Sequence, residues 1–168
     1  MTGPYDDAFD HHAWANDRLI DACAALDDAL LDAPQPGGYG SARATLVHLV
    51  DGDAFYLWCL TGRDQPAGLE SMSLTQLGEV ARGNAAAWRD YLASGPDPGE
   101  VVTDNDGPDY HRDASVGLRL AQALHHGNEH RAQVCVGVSA GGAAEVDVSV
   151  WLFGDETGRV REVGPDSQ

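Results

Sequence analysis

The sequence predicts an all-α fold, an up-down-down-up four-helix bundle with a longer loop between its third and fourth helices and a short C-terminal helix. Three observations carry that expectation. Apolar residues recur at helical spacing in long stretches. Serines, glycines and prolines punctuate the chain where such stretches start and stop. Four long helices joined by one longer connection form a bundle, and nothing in the order of elements suggests a parallel sheet.

The first helix is expected over residues about 5–32, where Phe9, Trp14, Leu19, Ile20, Cys23, Leu26 and Leu30 carry the apolar spacing. The run "APQPGGYG" breaks it. Ser41 is a good N-cap for a second helix, which reaches Thr61 and stops at Gly62. After the loop "GRDQPAGLESM", Ser73 opens a third helix that ends at "SGPDPG". Residues 100–114 hold short β-like pieces around Asn105-Asp106-Gly107-Pro108, the pattern of a crossover loop with a small hairpin. Ser115 caps a fourth helix running to Ala140, "VDVSVWLFGDETGRV" holds a short fifth, and "REVGPDSQ" is a tail.

At 168 residues the chain is expected to form one domain over 1–168. Its net charge of −17 opposes approach to nucleic acid or an anionic membrane, because both would be repelled at long range. No apolar stretch reaches the length of a membrane span, and "MTGPYDDAFDHH" is not a signal peptide, so a cytoplasmic location is expected. Cys23, Cys59 and Cys135 are far apart and form no C-x-x-C pair, which reads as reduced core cysteines. "GGYG" is no phosphate loop, since it follows no strand and lacks a lysine.

The histidines carry the functional reading. Helical geometry advances about 100° per residue, so around the fourth helix His126 and His130 fall on one edge of the apolar stripe while His125 falls on the outer face. An i, i+4 pair of imidazoles can converge on one point, and such a pair is a metal signal. The plain alternative is two polar side chains at a core boundary. On the second helix His48 lies close to the seam formed by Leu46, Leu49, Val50, Leu57 and Leu60. Alone it would read as a satisfied core histidine. In a bundle the two helices can face each other and bring His48 to the pair. Three imidazoles leave a divalent ion with open positions, the layout of a catalytic rather than a closed structural site. His11, His12 and His111 lack such partners and are expected at the surface. Arg131 points into the apolar stripe and needs a partner, for which Asp53 or Asp51 is expected.

The blocks "WANDRLIDA", "LVHLVDGDAFYLW" and "HHGNEHRAQV", with a histidine on the second helix and a histidine pair followed by H-R-x-Q on the fourth, resemble the DinB/YfiT-type metal-binding four-helix bundles. The resemblance implies a divalent metal on His48, His126 and His130, the set that helix geometry selects. One residue departs from the pattern: the usual glycine of H-R-G-Q is Ala132, which points away from the core.

The resemblance further implies thiol-dependent S-transferase or isomerase chemistry with a low-molecular-weight thiol of the mycothiol or bacillithiol type, acting on a small-molecule substrate. Zinc is the first expectation for three imidazoles, with nickel, iron or manganese as alternatives. Asp51, one turn beyond His48, is the candidate base or a hydrogen-bond acceptor that supports a ligand from behind, and Gln133 is placed to hydrogen-bond near the site. Trp14, Phe55 and Trp58 are candidate pocket walls, or plain core aromatics. Two other functions stay open. One is a metal-dependent hydrolase, although the H-x-x-E-H match in "HGNEH" is weak because Glu129 points about 100° from His130. The other is a metal-binding bundle without catalysis. Relatives pair through helices, so a homodimer is expected, with a monomer as the alternative.

Overall fold

Serine side chains open the helices where the sequence predicts. In the computed structural model, which describes residues 5–105, 111–161 and 163, Ser41 Oγ accepts from the amide of Ala44 and starts α3 (Ala42–Thr61). Ser73 does the same for Gln76 and completes a capping box at the head of α4 (Leu74–Ala93). Ser115 caps α5 (Val116–Ala140). The short C-terminal helix, expected over 146–160, is confined to α6 (Val150–Glu156), where Ser149 supplies a cap the sequence reading did not name. Gly62 ends α3 in the left-handed conformation, at φ 69°.

The first segment differs from expectation. Instead of one helix over about 5–32, α1 (Asp6–Ala24) stops and a single turn, α2 (Asp28–Leu31), follows. Asp27 takes an extended conformation between them. Two consecutive aspartates would oppose the negative end of a continuing helix but suit the start of a new one. The break lets Leu31 turn into the core.

Side-chain contacts between four pairs of helices fix the helix directions. Phe9 near the start of α1 packs on Trp88 near the end of α4, with ring centroids 4.7 Å apart, so these helices are antiparallel. His48 lies beside His130 while Tyr56, two turns on, meets Gln122, so α3 and α5 are antiparallel. Asn84 donates to the Val50 carbonyl and Trp88 Nε1 to Asp53, which makes α3 and α4 parallel. His12 and Asn16 both reach Arg131, His12 also lying against Gly127, which makes α1 and α5 parallel. The order along the chain is therefore up, down, down, up. Because α3 and α4 run the same way, residues 62–73 must return along the bundle, and they fold one turn of 3-10 helix at Leu69–Ser71 on the way. No helix among the described residues is long and apolar enough to cross a membrane.

The α4–α5 connection contains the expected hairpin. Strands β1 (Val101–Asn105) and β2 (His111–Ser115) pair antiparallel, with Val101 opposite Ser115. The expected turn at 106–108 lies outside the described residues, as do 162 and 164–168 of the tail. A buried ion pair fastens the hairpin to α5: Arg119 donates to Asp104 at 2.7 Å and to the carbonyls of Val102 and Arg112.

Two apolar clusters fill the bundle. One gathers Leu19, Ile20, Leu46, Leu49, Leu77 and Val134; the other gathers Phe9, Leu57, Trp88, Val116 and Leu120. Between them lies a polar layer of His12, Asn16, Asp53, Asn84 and Arg131, all buried. Burying such groups is tolerable only when they are hydrogen-bonded: His12, Asn16, Asp53 and Arg131 bond among themselves, and Asn84 donates to the Val50 carbonyl. None of the three cysteines is in a disulfide: Cys23 and Cys59 are buried and Cys135 is half-buried.

Candidate metal centre

The antiparallel crossing of α3 and α5 brings His48, His126 and His130 together. One nitrogen from each lies within 4.8 Å of the others. The Nε2 atoms of His48 and His126 are 3.0 Å apart. Imidazole nitrogens that share a tetrahedral ion at about 2.0–2.1 Å stand about 3.3 Å from each other, so this spacing suits a common ion. His130 is buried, while His48 and His126 are half-exposed at the groove between the helices. The trio therefore has one protected side and one open side.

Local sequence explains how three bulky rings fit. The ring of His126 lies over Gly52 on α3, where a methyl would stand 2.2 Å from its Cε1. Any side chain at residue 52 would push the imidazole away. His130 Nδ1 donates to Gln133 Oε1 at 2.7 Å, one turn on. That bond fixes the proton on Nδ1 and turns the Nε2 lone pair outward, the usual arrangement for a ligating histidine.

Charge supports the same role. Burial, followed by the neighbouring His130 and His48, pushes His126 down to about 4. Burial and His130 also lower His48, with the Asp51 carboxylate pulling the other way. Both rings therefore carry unprotonated, ligand-ready nitrogen at neutral pH. Three imidazole donors with one open side fit a divalent ion of the zinc type, with room for a further ligand.

Two aromatic residues complete the surroundings. Tyr39 stacks on His48 at 3.5 Å between centroids and meets His130 edge-on at 5.4 Å. Its turn is closed by the Gln35 amide donating to the Gly40 carbonyl, with Gly37 and Gly40 at positive φ. The Tyr39 amide donates to Thr45 Oγ1, and the Gln35 side chain donates to the Gln133 carbonyl. The turn is thus tied to both helices that carry the trio. Tyr56 packs against His126 at 5.6 Å. Neither tyrosine was singled out by the sequence. Tyr56 lies two turns along α3 from His48, a spacing that could have marked it, whereas Tyr39 lies in a loop that periodicity does not locate.

The other candidate residues are distributed as follows. Asp51 is exposed, close enough for its charge to act on His48. His125 is on the outer face beside Glu129, 3.7 Å away, and Ala132 is also exposed. His111 is exposed on β2. Trp14 is not beside the trio: it packs on Phe153 and donates to Glu156. Phe55 and Trp58 are half-buried and lie against each other.

Three expectations need correction. His11 and His12 are not surface residues. His12 is 1% exposed and His11 is 9% exposed, with its Nε2 donating to the Val148 carbonyl. Nor does Arg131 pair directly with Asp53 or Asp51. Its guanidinium donates to Asn16 Oδ1 at 2.6 Å, to Asn128 Oδ1 at 2.5 Å and to His12 Nδ1 at 3.2 Å. His12 Nδ1 must then be the accepting nitrogen, which places the ring proton on Nε2, where it is donated to Asp53 at 2.9 Å. The imidazole stands between the two charges that were expected to touch. Burial lowers Arg131 to about 10, and the Asp53 charge acts against that fall across the ring.

A comparison with curated proteins finds no match. The DinB family model matches residues 1–161, nearly the whole chain, including every element that builds the trio. This chain belongs to the DinB family.

Proposed function

We propose that the chain is a divalent-metal-dependent enzyme whose ion is held by His48, His126 and His130, and that it transfers a low-molecular-weight thiol to a small electrophile. The observation that carries this reading is the convergence of three imidazole nitrogens, two from one helix and the third from a helix far away in sequence, on one partly open point. A divalent ion held there, with zinc first and nickel, iron or manganese as alternatives, would supply the positive charge that lowers a thiol's pKa and favours its thiolate.

The protein's own groups would do the rest. Gln133 holds His130 in its ligand tautomer. Tyr39 and Tyr56 flank the groove and offer aromatic walls to the electrophile. Asp51, exposed and close to His48, is the proposed acceptor of the thiol proton, which passes on to solvent. The new bond is a thioether between sulfur and the electrophilic carbon, formed as that carbon's bond to its leaving group breaks and the group departs into solvent with the electron pair. A homodimer is the proposed assembly, to be checked by sedimentation.

Two measurements test the reading. Elemental analysis of the isolated protein should find one divalent ion per chain, lost in both His48→Ala and His130→Ala. A wild-type protein that is metal-free and binds no added divalent ion would overturn the metal site. Incubation with a thiol and a model electrophile should then give metal-dependent thioether. Stoichiometric metal with no turnover across several thiols would leave a metal-binding bundle without catalysis.

A further inference from the structure

A second concavity lies on the other side of α5, away from the trio. It is a cleft of about 470 Å³ between α1, α5 and α6, within the size range of small-molecule sites. Leu124, Val150, Trp151, Phe153 and Val160 form its apolar walls. Trp151 and Val150 are 74% and 60% exposed, so the apolar surface at the mouth is uncovered.

The polar end is unusual for a chain of net charge −17. Of the charged side chains lining the cleft, Asp7 and Arg159 are paired with each other at 2.9 Å. Arg131 is left over. It is 2% exposed, and no carboxylate of the described residues lies within ion-pair distance of it. Its acceptors are two side-chain amides and one imidazole nitrogen, which use three of its five N–H groups. Asn128 turns its oxygen to Arg131, so its own NH2 is a further donor at the cleft. A buried guanidinium that touches no carboxylate, its counter-charge Asp53 held off by the His12 ring, suits one negative charge on an apolar body when amide donors and apolar walls lie beside it. Asp7 in the lining opposes a second negative charge.

We propose that this cleft binds a small monocarboxylate with a compact aryl or alkyl body, its carboxylate on Arg131 and Asn128 and its apolar part against Phe153 and Trp151. The site is independent of the metal reading, because none of the three clustered histidines lines it.

Phenylacetate is a suitable probe, with phenylacetamide as its uncharged counterpart. Each is titrated into the full chain while the tryptophan indole NMR signals are followed. The acid should bind saturably and shift Trp151, with Trp58 as the remote reference. The amide should bind about tenfold more weakly or worse, as expected when a charge-assisted hydrogen bond is lost. Arg131→Lys should weaken the acid, but Arg131 also ties α1 to α5. Val150→Asp avoids that difficulty, since Val150 is exposed. It should weaken the acid by like-charge repulsion about tenfold more than it weakens the uncharged amide, and equal weakening of the two would also overturn the proposal. His126→Ala should leave both affinities unchanged. Equal binding of acid and amide, no saturation by the acid, or shifts that disappear in His126→Ala would each overturn the proposal.

Discussion

His126 and His12 are both pressed into glycine notches, yet they are used in opposite ways. His126 leaves α5 and lies over Gly52 of α3; His12 reaches from α1 and lies over Gly127 of α5. Both nitrogens of His12 are committed, one to Arg131 and one to Asp53. In the trio, one nitrogen of each ring lies near the other two, and among the described residues only His130 makes a side-chain hydrogen bond outside the trio. Burial therefore does not mark a ligand here, since His12 is the more buried of the two. What marks one is a lone pair left uncommitted and aimed at others like it. The His12 layer ties α1, α3 and α5 together, and the trio keeps the nitrogens that the proposed ion would take.

That division can be broken from either side. The largest effect is expected from Asp53→Ala, which leaves His12 without its acceptor and Arg131 without the charge behind it. A loss of about 3 kcal/mol or more in urea unfolding is expected, with metal stoichiometry kept in the folded protein. A loss below about 1 kcal/mol would remove the structural role assigned to the layer. His126→Ala should do the reverse: metal affinity falls at least about a hundredfold in a competition titration, with little change in metal-free stability.

Acid should separate the two groups next. The unfolded chain protonates its histidines near the ordinary value of 6.5, while the folded chain holds His126 at about 4. Between those values the unfolded state binds more protons, so metal-free stability falls as the pH drops from 6.5 towards 4. The His126 share, after solvent screening of a half-exposed ring, is about 1–2 kcal/mol. The urea midpoint of wild type should therefore fall more steeply with acid than that of His126→Ala, and parallel curves would contradict the assignment. Gln133→Ala should weaken metal binding about tenfold without unfolding the protein. The smallest effect is expected at His125→Ala, within about 0.5 kcal/mol and with metal retained, because that ring faces solvent.

Helix starts at Ser41, Ser73 and Ser115 were legible because caps act locally. The trio was legible because helix geometry separates His125 from His126 and His130. His12 was misplaced although its signal was present: Phe9, His12, Asn16, Leu19, Ile20 and Cys23 recur at the spacing of one buried helix face. A polar residue inside such a stripe reads as an intruder unless its partners are known, and those partners lie on α3 and α5. The same long-range dependence hid the imidazole between Arg131 and Asp53. Tyr39 was out of reach because its position depends on how the 35–40 turn folds back over α3 and α5.

The two glycine notches also bear on motion. They mesh α5 with a neighbour on each side, α3 through Gly52 and α1 through Gly127. Sliding α5 by one turn, about 5.4 Å, would lift His126 out of its notch and drive α5 side chains against His12. The spacing of the trio is thus held by interlocking backbone rather than by loops. Any adjustment to an arriving molecule falls to parts outside that gearing: the turn bearing Tyr39 on one flank of α5 and helix α6 on the other.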